Sequence, residues 1–111
     1  MGKFVISKRK NGEFQFNLLA GNGQVILTSE GYASKPSCMN GVKSVMKNAG
    51  DVKRFESKVA KNGKFHFNLK AGNGQVIGKS EMYESETSRE NGIASVKKNA
   101  PGATIDDQTK A

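Results

Sequence analysis

The 111-residue chain has no tryptophan, one cysteine, one histidine and two prolines. A lone Cys38 excludes an intrachain disulfide and any cysteine-based metal cluster. No stretch approaches the roughly 18 apolar residues that a membrane span needs. The opening Met1-Gly2-Lys3-Phe4 lacks the apolar core and small-residue cleavage site of a signal peptide. Together these absences lead us to expect a cytoplasmic protein. Acidic residues are also scarce. Ten carboxylates face 18 lysines and arginines, for a formal charge of +8. The positive charge is dispersed, with its densest run at Lys8-Arg9-Lys10. It therefore fits a solvated basic surface first and a polyanion contact second.

The dominant feature is repetition. FQFNLLAGNGQVI at Phe14–Ile26 returns as FHFNLKAGNGQVI at Phe65–Ile77, with eleven of thirteen pairs identical at an offset of 51. Extended to Phe4–Ala49 against Phe55–Ala100, the alignment holds 27 identities in 46 pairs without a gap. Two copies are too few for a solenoid and suit a single pseudo-two-fold domain. We divide that domain, 1–111, into a first repeat at 1–51 and a second at 52–111.

Each copy predicts the same elements in the same order. A first strand, Lys3–Lys8 or Phe55–Val59, runs into Asn11-Gly12 or Asn62-Gly63. That dipeptide suits a two-residue hairpin turn with positive φ at both central residues. In the returning strand Phe14, Phe16 and Leu18 alternate with polar residues, as do Phe65, Phe67 and Leu69. A period of two puts the aromatics on one covered face and the polar groups on an open one. A turn at Gly21-Asn22-Gly23 or Gly72-Asn73-Gly74 leads into a third strand. Ser34 and Ser85 then cap a helix. Gly41 and Gly92 sit inside these helices, where glycine costs up to about 1 kcal/mol relative to alanine. Their presence in both copies implies a backbone pressed closely against a neighbour. Gly50 and Pro101-Gly102 stop the helices, and Ala103–Gln108 is a short candidate strand before a frayed tail at 109–111.

The blocks F-x-F-x-L-x-A-x-N-G-Q, S-E-x-Y and G-[VI]-x-S-V-x-x-N-A occur twice in order. They stand at Phe14–Gln24, Ser29–Tyr32 and Gly41–Ala49, then at Phe65–Gln75, Ser80–Tyr83 and Gly92–Ala100. This tandem pattern resembles the YegP-like family, UPF0339 or DUF1508. The resemblance implies an α+β fold of tandem βββα(β) repeats, with one antiparallel sheet, two helices on one face and exchanged final strands. It implies no activity. The chain departs from internal symmetry at Val5-Ile6 against Glu56-Ser57 and at Gly31 against Met82.

Candidate chemistry is sparse. Gly21-Asn22-Gly23 resembles a phosphate loop, but a strand follows where a phosphate cradle needs a helix N-terminus. His66 has Gln15 as its counterpart and falls on the open face without an orienting partner. Cys38, opposite Arg89 in the alignment, reads as a small packing residue near a helix start. Glu30 and Glu81 recur within Ser-Glu-x-Tyr, where a carboxylate suits backbone donors in the connection. No catalytic residue, metal ligand or cofactor-binding residue is assigned, and no enzyme is expected. The strongest surface candidate is the open face with Gln15, Asn17, His66, Asn68 and Lys70, and with Lys8, Lys10, Lys61 and Lys64 nearby. The expected function is that of a non-enzymatic binding or interaction module. Its alternatives are non-specific nucleic-acid or polyanion binding through the basic surface, and protein–protein contact through the sheet edge or polar face. Duplication supplies internally the interface a single-repeat dimer would make, so a monomer is expected.

Overall fold

A computed structural model describes residues 2–109. Seven strands and two helices occur in the order β1 (Lys3–Lys8), β2 (Phe14–Leu19), β3 (Val25–Thr28), α1 (Lys35–Asn48), β4 (Phe55–Val59), β5 (Phe65–Lys70), β6 (Val76–Lys79), α2 (Glu86–Asn99) and β7 (Thr104–Asp107). A short 3-10 turn at Val52–Arg54 joins the repeats. All seven strands form one sheet in the order β4-β5-β6-β3-β2-β1-β7. Phe4, Ile6, Phe16, Leu18, Leu27, Phe67 and Leu69 are buried with Val42, Val45, Ile93 and Val96 of the helices in a single core. Alternation along the strands thus places the aromatics beneath α1 and α2, as the pattern predicts.

The pseudo-two-fold axis passes through the middle of the sheet. There Thr28 of β3 pairs with Lys79 of β6, its own counterpart at the repeat offset. Beside that pair Leu27 and Gly78, also counterparts, occupy one space. A Cβ on Gly78 would lie 2.6 Å from Leu27 Cδ2 and 2.7 Å from its Cγ. Two bulky side chains related by the axis would collide, so one repeat supplies the leucine and the other the room for it.

The hairpins differ from the sequence expectation in turn type. Among the described residues only Gly12, Gly23, Gly63 and Gly74 have positive φ, and no asparagine does. Each turn is a three-residue loop. At the first, Gly12 N–H donates to Arg9 O at 2.9 Å and Arg9 N–H to Glu13 O at 2.7 Å. Asn11 Oδ1 meanwhile accepts from Glu13 N–H at 3.0 Å. The asparagine holds its turn by this side-chain bond, which leaves the left-handed residue to glycine alone. Asn22, Asn62 and Asn73 repeat the bond at 3.0 Å each.

The repeated sequence blocks have structural explanations. Ser29 Oγ accepts from Phe16 N–H at 2.9 Å and donates to Glu30 O at 2.8 Å. Ser80 does the same with Phe67 and Glu81. In Ser-Glu-x-Tyr the serine hydroxyl, rather than the glutamate carboxylate, therefore secures the connection. Tyr32 then bridges to Phe14 and stacks on Phe16 at 6.3 Å, and Tyr83 does likewise with Phe65 and Phe67 at 6.4 Å. The tyrosine ring occupies the space that Gly41 or Gly92 leaves free. At the helix ends Asn48 and Asn99 tie back to Ser44 O and Ser95 O, both at 2.8 Å. Ser34 and Ser85 cap the helix starts, accepting from Ser37 and Ser88 N–H.

The expected antiparallel sheet is realised by six strands, and the seventh makes it mixed. β7 runs parallel to β1, with Thr104 opposite Lys3 and Asp107 opposite Ile6. A strand that leaves α2 and returns to the far edge arrives in that direction. The exchange runs one way only. The residues of the first repeat that align with β7 form the 3-10 turn and the start of β4 instead. Thr109 is tied to Asp107 Oδ1 through its N–H at 2.9 Å and its Oγ1 at 2.6 Å. The expected fraying therefore does not extend to it, and residues 110–111 lie outside the described range.

Asp107 also pairs with Lys35 of α1. Lys35 first and Thr109 second hold its carboxyl at about 2, below the ordinary 3.8. A depressed carboxylate pKa contributes stability when the group is ionised, and that contribution is lost as pH falls through the folded-state pKa. We expect β7 to loosen from β1 between pH 3.8 and about 2, read as faster amide exchange at Thr104–Gln108. In Asp107→Asn this acid-dependent step should be missing. An unchanged acid profile in that variant would contradict the assignment.

Candidate functional site

The nine surface residues singled out by sequence do not converge. Gln15 and Asn17 lie on β2, and His66, Asn68 and Lys70 on β5, with β3 and β6 between. Three interstrand steps separate the groups by about 14 Å. Much of the polar chemistry is also satisfied internally. Gln15 accepts from Arg9 Nε at 2.7 Å. Lys70 Nζ pairs with Glu56 Oε2 at 3.0 Å, and Lys58 approaches the other oxygen at 3.7 Å. The Lys70 bond is the main cause holding the Glu56 carboxyl below its ordinary range. Asn68 is buried and donates to Glu56 at 3.4 Å. Lys64 pairs with Glu84 at 3.2 Å. Lys8 lies over the Phe14 ring at 5.5 Å. Asn17 is half-buried, His66 stands opposite Lys58, and Lys10 and Lys61 occupy exposed hairpin turns.

Cys38 is fully buried, and burial followed by the charge of Asp107 raises its pKa. Such a thiol is a packing group and a poor nucleophile. Among the described residues no group of three or more His, Cys, Asp or Glu is placed to hold a metal ion. Among the described residues no helix is long and apolar enough to cross a membrane.

Sequence reasoning missed a pair of clefts related by the pseudo-two-fold. Each forms where a helix of one repeat meets the second hairpin turn of the other. The larger, about 470 Å³, lies between α1 and the β5–β6 turn and is lined by Asn40, Lys43, Ser44, Lys47, Asn48, Arg54 and Ala71-Gly72-Asn73. The smaller, about 310 Å³, lies between α2 and the β2–β3 turn, with Asn91, Ser95, Ala20 and Asn22 as counterparts. Their charge differs. Among the described residues the lining of the α1 cleft carries three cations and no carboxylate, whereas that of the α2 cleft carries no charged residue. Arg54 keeps Asp51 at 3.7 Å. Lys43 and Lys47 form no ion pair among the described residues. Lys43 aligns with Ala94, whereas Lys47 aligns with Lys98 and Arg54 with Lys3, so of the three cations only Lys43 lacks a cationic counterpart. The available sequence signal was Lys43 and Lys47 spaced four apart on α1, where helical side chains share a face. Their position beside the other repeat's turn depends on the central seam, which local patterning does not show.

The structure defines a tandem-repeat α+β protein in which one continuous sheet joins two unequal halves. The model of the domain of unknown function DUF1508 matches the chain twice, at residues 10–56 and 60–107. The chain belongs to this family, whose curated members carry the name UPF0339. It is 57% identical over 104 residues to a UPF0339 protein in the ptx operon 5′ region of Stutzerimonas stutzeri, covering 94% of each chain. It is 53% identical over 108 residues to the UPF0339 protein YegP of Escherichia coli K12, covering 97% of this chain and 98% of that one. The solution NMR structure of E. coli yegP, described as a protein of unknown function, matches with a TM-score of 0.93 at 52% identity, covering 99% of this chain and 95% of that one. A UPF0339 protein from Shewanella oneidensis matches with a TM-score of 0.90 at 51% identity, covering 96% and 90%.

Proposed function

We propose that the protein is a small non-enzymatic binding module that contacts a polyanion, nucleic acid being the class considered, through the α1 cleft. One observation carries the reading: among the described residues, Lys43, Lys47 and Arg54 line a cleft with no carboxylate in its lining, and no charged residue lines the symmetry-related cleft. Sequence-specific recognition of single strands usually stacks bases on exposed aromatics. Here Phe16 and Phe67 are fully buried and Phe14 and Phe65 are half-buried under the helices. The supported contact is therefore with phosphates, without base reading, and it depends strongly on salt.

The test is a fluorescence-anisotropy titration with a labelled single-stranded oligonucleotide at several salt concentrations. Three phosphate contacts predict a slope of about −2 in log affinity against log salt. Charge reversal by Lys43→Glu with Lys47→Glu should weaken binding about tenfold or more at low salt and flatten the slope. Lys98→Glu, on the counterpart helix, should change little. Absence of binding at low salt, or equal losses from both helices, would remove the proposal.

A further inference from the structure

The two ends of the sheet are unequal, and the inequality defines a second surface, independent of the cleft. At one end β7 covers the outer edge of β1. Thr104 N–H donates to Gly2 O at 3.2 Å and Gln108 N–H to Ile6 O at 2.9 Å. At the other end β4, the counterpart of β1, has no strand on its outer edge among the described residues. β4 contains no proline and keeps an unbroken antiparallel register with β5. In the hairpin beyond it Ala60 N–H donates to Lys64 O at 2.7 Å. Backbone groups alternate in direction along an antiparallel strand. Glu56 and Lys58 therefore turn their backbone groups to β5, and Ser57 and Val59 turn theirs outward. Phe55 also faces outward, but its N–H is donated to Val52 O, which leaves its C=O for a new strand. Such an edge is preformed for strand addition.

What fits this edge is written in β4 itself. Phe55-Glu56-Ser57-Lys58-Val59 complements its own reverse. Laid antiparallel about Ser57, it sets Phe55 against Val59 and Glu56 against Lys58, once in each direction. The Lys58 and Glu56 side chains lie on the open face and are 47% and 37% exposed. Across the edge they form a non-hydrogen-bonded pair, the kind in which side chains approach most closely. Within one chain Glu56 already has Lys58 at 3.7 Å and Lys70 at 3.0 Å. A second copy completes a square of alternating charge, with no like charges directly opposite. The apolar residues match as well. Val52, just before β4, and Val59, at its end, are the most exposed large hydrophobic residues among those described, each at 62%. The antiparallel arrangement carries Val59 of one copy to the end of the other where Phe55 and Val52 lie. β1 lacks this complementarity, since Val5, Ser7 and Lys8 stand where β4 has Glu56, Lys58 and Val59. A β7 strand from another copy fits poorly. In the register it keeps on β1, its Asp106 would stand opposite Glu56.

We propose that the outer edge of β4 is an interface between two copies of this chain, paired antiparallel about a two-fold axis at Ser57, so that two sheets become one. The contact is isologous and closes at two copies. Ser57 N–H donates to Ser57 O of the second copy, and Val59 N–H to its Phe55 O, each bond occurring in both directions. A contact this small makes a weak dimer. The duplication closes the central seam within one chain, so a single chain remains the species at low concentration.

The test is sedimentation of the full chain from about 10 µM to about 1 mM in about 0.15 M salt, where a Debye length of about 8 Å screens the net charge. The mass should rise from one chain toward two, with a dissociation constant of about 0.1–1 mM, and no further. Over the same range amide exchange should slow at Ser57 and Val59 but not at Phe55, whose N–H is already bonded. Glu56→Lys and Lys58→Glu should each weaken self-association about tenfold or more, because like charges then face each other. An equimolar mixture of the two variants should restore the two-chain species, because each supplies the sign that the other lacks. Ser57→Pro removes an outward N–H that β5 does not use, and edge strands tolerate proline. That variant should melt like the parent and stay a single chain. Four outcomes overturn the proposal: a mass that stays at one chain throughout, growth beyond two chains, a dimer with unchanged exchange at Ser57 and Val59, or a mixture that stays single-chain while both variants melt like the parent.

Discussion

Gly78→Leu is expected to lower folding stability by about 1–3 kcal/mol, because it inserts a second bulky side chain into space that Leu27 already fills. The Cβ alone would meet Leu27 Cδ2 at 2.6 Å and Cγ at 2.7 Å. Leu27 is fully buried and cannot move into solvent. Leu27→Gly should be the costlier single change. It empties the site, and truncating a buried leucine even to alanine costs about 2–5 kcal/mol. The two positions are counterparts across the pseudo-axis, which leads to a stronger expectation for the pair. Combining Leu27→Gly with Gly78→Leu moves the leucine to the other side of the axis. The double variant should recover much of the loss, giving a coupling energy of the sign that marks a shared space. Denaturant unfolding of the parent, both singles and the double completes the cycle. Strictly additive losses would mean that the positions do not share a site.

Gly41→Ala in α1 and Gly92→Ala in α2 are expected to destabilise, against the helical preference for alanine. Exchange of a mid-helix glycine for alanine ordinarily gains about 1 kcal/mol. Here the new methyl would lie 2.9 Å from Tyr32 Cζ and 3.0 Å from Phe16 Cε2 at position 41. At position 92 it would lie 2.7 Å from Tyr83 Cζ. Each tyrosine is held by backbone bonds to its strand, Tyr32 N–H to Phe14 O and Tyr83 N–H to Phe65 O, both at 2.7 Å. Retreat of the ring therefore disturbs the sheet. Overpacking of this kind costs about 1–3 kcal/mol, enough to reverse the propensity gain. The same substitution with Tyr32→Phe should recover part of the loss, because the tyrosine hydroxyl makes the closest approach. A thermal melt at or above that of the parent for Gly41→Ala alone would show that the ring has room to move.

Most of the fold is legible in the sequence where the governing chemistry is local. Alternation at Phe14-Phe16-Leu18 places a strand face. Serine at 34 and 85 sets a helix start through one bond to a backbone N–H three residues on. The duplication announces the axis. The glycines at 41 and 92 signal close approach, although not that a tyrosine from the preceding connection makes it. Other features are set by contacts distant in sequence. Glu30 and Glu81 recur beside the serines that carry the hydrogen bonds, and identity alone does not separate a functional residue from its neighbour. The parallel direction of β7 follows from where α2 leaves it. The change from Val5-Ile6 to Glu56-Ser57 is visible in the sequence, and the structure supplies its cause: β1 is covered and β4 is not. The open-face candidates are divided between β2 and β5, with Lys70 and Lys64 engaged by Glu56 and Glu84 and Asn68 buried. Of the α1 cleft only the shared helix face of Lys43 and Lys47 is legible in the sequence, because the cleft joins a helix of one repeat to a turn of the other.

Function is thus sought where the halves have diverged, and one measurement tests that idea most directly. Amide chemical-shift mapping of the labelled protein with a short single-stranded oligonucleotide at low salt reports both clefts at once. The perturbations should gather at Lys43, Ser44, Lys47, Arg54 and Asn73 and should be absent from the counterpart residues Ala94, Ser95 and Asn22. Perturbations of equal size in the two clefts, or confined to the open face around His66 and Asn68, would contradict the account.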